Sequence, residues 1–117
     1  MPSKTINITD ILKVSGKLIL NTVQTFTDSD ATPDVGGYSF FQTNTTGVTI
    51  TDFDGNITAG QLIFVLSKGA IIFDVTASGI KGGTTDITTA AGDLTVFLYD
   101  GADWIIVARM DMSDDLN

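Results

Sequence analysis

The stretch that comes nearest to ligand chemistry is Asp52-Phe53-Asp54-Gly55-Asn56. Alternate aspartates followed by glycine resemble the start of a calcium loop. Such a loop needs ligands at alternate positions, glycine at the sixth and a bidentate carboxylate at the twelfth. Here the glycine comes too early and Gln61-Leu62-Ile63 supplies no carboxylate, so the stretch reads as a plain turn. An ion shared at an oligomer axis stays open, because symmetry would gather several Asp. Paired carboxylates can also cut glycosidic bonds when about 5–10 Å apart. With fourteen acidic residues some pair meets that spacing by chance. Most sit beside Gly, Ser or Thr, where Asp caps its own backbone. A nucleophilic triad needs a base, and the chain has no His. Ser67 and Lys68 are neighbours at a turn, a poor geometry for a dyad. Gly79-Ile80-Lys81-Gly82-Gly83 lacks the phosphate-loop spacing, and no helix is expected after it. The expectation is no catalytic residue, no cofactor and no metal ligand within one chain.

Tyr99 and Trp104 flank the turn Asp100-Gly101-Ala102-Asp103. Their spacing suits an aromatic clamp across a hairpin, worth about 0.5–1.5 kcal/mol beyond burial. An exposed Trp would instead stack on a sugar. The clamp is the stronger reading.

The elements that position these residues are strands and turns. All fourteen acidic residues are Asp and none is Glu, while Thr and Ile are abundant. Asp is a turn residue and Glu a helix former, so the bias favours short strands. Strands are expected at 38–41, 48–51, 61–66, 70–75, 86–89, 94–99 and 104–110. Turn signals separate them every eight to twelve residues or so. The expected fold is all-β: short antiparallel strands in a sandwich, jelly-roll or β-prism-like domain. Residues 1–23 read as an N-terminal arm, with Ile6, Ile8 and Ile11 spaced along it and Lys4, Lys13 and Lys17 as its cations. Within it Leu18–Leu20 suits a short strand, and Thr9 or Asp10 could cap a helical turn over Ile11–Val14. Residues 24–110 form the β domain and 111–117 an acidic tail.

Composition narrows the partners. A net charge of −8 disfavours nucleic acid and anionic membrane surfaces. The longest apolar runs have strand length, far short of the ~20 residues of a membrane span. Leu18–Leu20 is too short for the core of a signal peptide, so none is expected. The absence of Cys removes any disulfide framework. Hydrophobic residues make up 43% and charged ones only 17%. That is much apolar surface for a small β domain, and oligomerisation would hide the excess.

The order of motifs carries a resemblance. Thr25-Phe26-Thr27-Asp28, Thr32-Pro33-Asp34-Val35, Tyr38–Phe41 and Asn44-Thr45-Thr46 come first. Ile50-Thr51-Asp52-Phe53-Asp54-Gly55 and Ala59-Gly60-Gln61 follow. Ile80-Lys81-Gly82-Gly83, Ala91-Gly92-Asp93-Leu94 and Tyr99-Asp100-Gly101 through Trp104 close the set. Over roughly residues 25–110 the chain resembles a β-structured module of tailed-bacteriophage virion proteins, notably tail fibres and tailspikes. The resemblance implies a homotrimer around a threefold axis, as a β-prism or short β-helix. Phe64, Ile72, Phe97 and Ile106 would then form the trimer core. Long fibres carry such a module behind a shaft, whereas here only about 23 residues precede it. That departure favours a capsid decoration (cement) protein at the capsid surface of the virion. Its arm, through Ile6, Ile8, Ile11, Lys13 and Lys17, would contact the major capsid protein. The alternative is a tail fibre or tailspike component that binds a host surface glycan or receptor. Asp54, Lys81, Asp100 and Trp104 would then mark the recognition loops.

Overall fold

The computed structural model describes residues 6–111, and no helix forms among them. The strands are β1 (Gln24–Thr25), β2 (Phe40–Gln42), β3 (Val48–Ile50), β4 (Leu62–Leu66), β5 (Ile71–Phe73), β6 (Ile80–Lys81), β7 (Ile87–Thr89), β8 (Leu94–Tyr99) and β9 (Trp104–Met110). They build a six-stranded sheet in the order β1-β2-β4-β8-β9-β6 and a three-stranded sheet in the order β3-β5-β7. The all-β class expected from the Asp-for-Glu bias is the class found.

The strands are not all antiparallel, which corrects the expectation. β1 with β2, β2 with β4, β3 with β5, and β6 with β9 run parallel. Only β4–β8, β5–β7 and β8–β9 are antiparallel. The reason lies in where the turns lead. Asn44–Gly47 and Ser67–Gly69 carry the chain across to the other sheet, not back along the same one. The visits these corners join, β2 then β4 and β3 then β5, therefore run in the same direction. Such passes stack closely at their corners. The Lys68 amide donates to Thr43 Oγ1 at 2.9 Å, and a Cβ on Gly69 would lie 2.2 Å from the Thr45 carbonyl oxygen. Only glycine fits that corner.

Period-two alternation assigns each strand a core face. In β4, Ile63 and Val65 are buried while Leu62, Phe64 and Leu66 point away. In β8, Thr95 and Phe97 are buried while Leu94, Val96 and Leu98 point away. Ile71 and Phe73 of β5 face inward from the smaller sheet. Phe73 meets Phe97 edge to face at 5.1 Å, so the two sheets share one core.

The outer face of the larger sheet is also apolar. Register places Leu62, Leu98 and Ile105 in one row, with Lys81 at its β6 edge, and Phe40, Phe64, Val96 and Ala108 in the next. A third row runs Thr25, Gln42, Leu66, Leu94, Met110. A bulge between Val96 and Phe97 keeps Ile105 in this face while Ile106 turns to the core.

Two expected elements of the arm do not form. Residues 11–14 make no helical turn and Leu18–Leu20 no strand; both run as exposed irregular chain. A lone helical turn is costly to nucleate, and a strand without a partner leaves its backbone to water. Lys4, and the acidic tail beyond Asp111, lie outside the described residues.

The core yields a paired expectation. Phe97→Ala removes a side chain with 0% exposure and should cost about 3–5 kcal/mol in urea unfolding. Thr95 Oγ1 is buried with no hydrogen-bond partner among the described residues. Thr95→Val should therefore leave stability unchanged or raise it by about 1 kcal/mol in the same measurement.

Candidate functional site

The arm and the loops at the domain's ends are the two regions in which function was expected. Residues 6–20 are all exposed, including Ile6 at 80% and Ile11 at 83%. Ile8, Leu12, Val14, Leu18, Ile19 and Leu20 share that exposure, and Lys13 and Lys17 lie among them. Eight large apolar side chains on one short segment are costly to leave in water, at about 25 cal/mol per Å². Alternation holds at Ile6 and Ile8, with Asn7 and Thr9 between and after them.

Asn21 holds the root of this arm. Its Oδ1 accepts from the amides of Ser39 and Phe40 at 3.0 and 2.9 Å, and its Nδ2 donates to the Phe40 carbonyl at 3.0 Å. One side chain thus does the work of a strand residue beside β2, just before β1 begins. Nothing in the sequence marked Asn21, because a single Asn outside a turn cluster carries no signal.

The four loop residues separate. Lys81 and the Asp100–Trp104 turn come together, since β6 lies beside β9. Lys81 Nζ sits 3.9 Å from Asp103 Oδ1 and also donates to the Ser78 carbonyl. Both partners are exposed, so the ion pair contributes little. Asp100 is a turn cap, accepting from the amides of Asp103 at 2.7 Å and Ala102 at 2.8 Å. Asp54 lies on another corner, in a parallel bridge with Asp34. Trp104 is no recognition residue: its exposure is 0%. It packs against Tyr99 at 5.0 Å and Phe53 at 5.5 Å, because Tyr99 and Trp104 are register partners on the core face. The clamp reading describes it.

The expected trimer-core residues separate too. Phe97 has 0% exposure within its own chain, and Ile106 is partly buried against the same core. Phe97 faces inward by the alternation of β8, and the β9 bulge brings Ile106 opposite it on the same face. Phe64 and Ile72 point outward, from different sheets.

A cleft of about 260 Å³ adjoins the arm root, lined by Gln24, Phe26, Asp30, Asp34 and Tyr38 among others. Its carboxylates are committed to the backbone. Asp30 accepts from the Thr32 amide at 2.9 Å and Asp34 from the Gly36 amide at 2.8 Å. Tyr38 is 47% exposed and also borders a wider neighbouring depression. It is the surface aromatic that sequence reasoning placed in a strand. Gly36-Gly37 immediately before it was the available signal, since a turn exit leaves the next side chain at the rim. Ser67 is fully buried and bonded to Thr89 Oγ1 at 2.7 Å, a structural arrangement. The Asp52 carboxylate caps the Phe53 amide at 2.8 Å. Among the described residues no three His, Cys, Asp or Glu side chains gather as a metal site.

Two capping carboxylates are held below the ordinary value of 3.8. For Asp74 the main cause is the Thr76 amide, then that of Ala77; for Asp100 it is the Asp103 amide, then that of Ala102. These donors favour the ionised form.

A scan against protein-family models finds no match, and a search of curated proteins returns no similar sequence. The likeness to virion modules rests on the ordered motifs alone.

The caps set an acid-side expectation. A folded pKa below its unfolded value adds stability above that unfolded value, and the gain is lost as pH falls through the folded one. The melting temperature should therefore fall as pH drops below 3.8. The double variant Asp74→Asn, Asp100→Asn keeps the acceptors and removes their titration. Its melting temperature should fall less steeply over that range in a pH series by circular dichroism. An identical profile would show that the caps do not contribute.

Proposed function

We propose that this chain is a non-enzymatic bacteriophage virion structural protein, a homotrimeric capsid decoration protein that clamps neighbouring major capsid subunits. The observation that carries the reading is the arm. Eight large apolar side chains are displayed on residues 6–20, beside a domain whose own core is complete without them. An extended segment with apolar side chains and an unpaired backbone can add a strand to a sheet edge of a shell protein. Ladder hydrogen bonds would supply affinity, and the apolar side chains would fill pockets. Three arms acting together gain about 10²–10⁴ in avidity over one. Lys13 and Lys17 place positive charge on the arm of a chain whose net charge is −8. That favours approach to an acidic surface.

A second reading is a tail component that binds a host surface glycan or receptor. Tyr38 supports it, as a half-exposed ring beside clefts rich in amide and hydroxyl groups. Under this reading Tyr38 replaces Trp104 as the stacking residue.

Quantitative mass spectrometry of purified virions against the major capsid protein separates the two. A ratio comparable to the shell protein is expected. Removal of residues 1–17 should then abolish binding to shells and leave the domain's melting temperature unchanged. A ratio of a few per cent would move the reading to the tail, where Tyr38→Ala should abolish cell binding. Absence from virions would overturn both.

A further inference from the structure

We infer that the outer face of the six-stranded sheet packs against the same face of further copies of this chain. The inference rests on the self-associating part of the proposed function and not on its virion location.

The phenylalanines show the division of labour. Phe26, Phe41, Phe53, Phe73 and Phe97 join one aromatic cluster inside the domain. The remaining two, Phe40 and Phe64, are register partners on the outer face. On β2, β4, β8 and β9 the three rows hold ten apolar residues, these two included, and one Gln; at the sheet's edges Lys81 stands beside Ile105 and Thr25 beside Gln42. The smaller sheet covers the opposite side, and residues 6–20 of the same chain are too exposed to cover this one. A solvated antiparallel or mixed sheet would alternate apolar inside with polar outside. Here both faces are apolar, the pattern of a sheet covered on both sides.

Charge and area identify the occupant. A net charge of −8 makes contact between copies repulsive wherever Asp lines the surface, and none stands in these rows. Across its four central strands the face offers no directional polar group beyond Gln42 for a foreign partner to read, and interfaces of that apolar kind belong to permanent assemblies. Four strands about 4.8 Å apart and three rows about 6.8 Å apart give a footprint of roughly 350–400 Å². That is about half the ~800 Å² per partner of a stable interface. The arm root supplies more. Asn21 fixes it beside Phe40, so Leu18, Ile19 and Leu20 leave the domain at the border of this face. Gly16, with φ 99°, then breaks the arm. The segment before it is left for the shell, and the segment after it extends the self-contact.

The chain has no Cys, so single-cysteine cross-linking reads the contact cleanly. Full-length Leu98→Cys, treated with a short bismaleimide, should give covalently joined copies on a denaturing gel. Asp28→Cys, in an exposed turn, should not. In light scattering after size exclusion, the wild type should be an oligomer. Val96→Asp should shift it to the monomer mass with its strand circular dichroism retained. A monomeric wild type at high micromolar concentration would overturn the inference and the trimer together, whether the arm or another protein covers the face. An oligomer that Leu98→Cys fails to cross-link would overturn this face alone and leave self-association standing. The cross-link keeps the test decisive if Val96→Asp fails to fold.

Discussion

Phe53 is the residue on which this fold turns, and it belongs to no strand. It sits 5.0 Å from Phe97, 5.5 Å from Trp104 and 6.1 Å from Phe26, mostly edge-on or tilted. Each such pair adds about 0.5–1.5 kcal/mol beyond the area it buries. A loop residue can hold the centre of a core only if its backbone is fixed, because a mobile loop would lose that packing to entropy. The fixing is a ladder of single hydrogen bonds between successive passes of the chain. The Thr51 amide donates to Ala31, that of Gly79 to Thr51 and that of Trp104 to Gly79. The parallel arrangement follows from this stacking. Each pass lies beside the one before it, so its corners must be small, and glycine at position 69 meets that demand.

The acidity of the chain follows from the same corners. Asp30, Asp34, Asp52, Asp74, Asp93 and Asp100 each accept a backbone amide at a turn. Short strands need many turns, and Asp closes them by bonding its own backbone. The low pI of about 4.1 is thus in large part a consequence of turn chemistry. It says little about a partner; under the proposed self-association, contact between copies would use the uncharged part of the surface.

Strand existence was legible because period-two alternation and turn residues are local. The expected strands at 61–66, 94–99 and 104–110 match β4, β8 and β9 almost to the residue. Pairing direction was not legible. A turn of Asn, Thr and Gly reads the same whether it closes a hairpin or leads to the opposite sheet. Trp104 shows a second limit. Next to an acidic turn it has the composition of an exposed recognition loop, yet period two from Tyr99 across the hairpin puts it in the core. Phe97 and Phe64 illustrate a third. Both are phenylalanines in apolar strands, and only knowledge of which face meets the smaller sheet separates them. Asn21 depends on tertiary position alone.

The domain therefore closes its apolar core and leaves its exterior unfinished in two places. An apolar sheet face and an apolar arm share one border, where Asn21 ties the arm to β2. For a free monomer this is a poor surface, since contiguous exposed apolar area invites uncontrolled association. For a subunit it is economical. One face can be closed by copies of the same chain, which removes it from solvent and brings several arms together. The arms can then act as one multivalent ligand, because each is tethered to a rigid body. Under the proposed function, self-association would set the spacing of the arms and partner capture would use it.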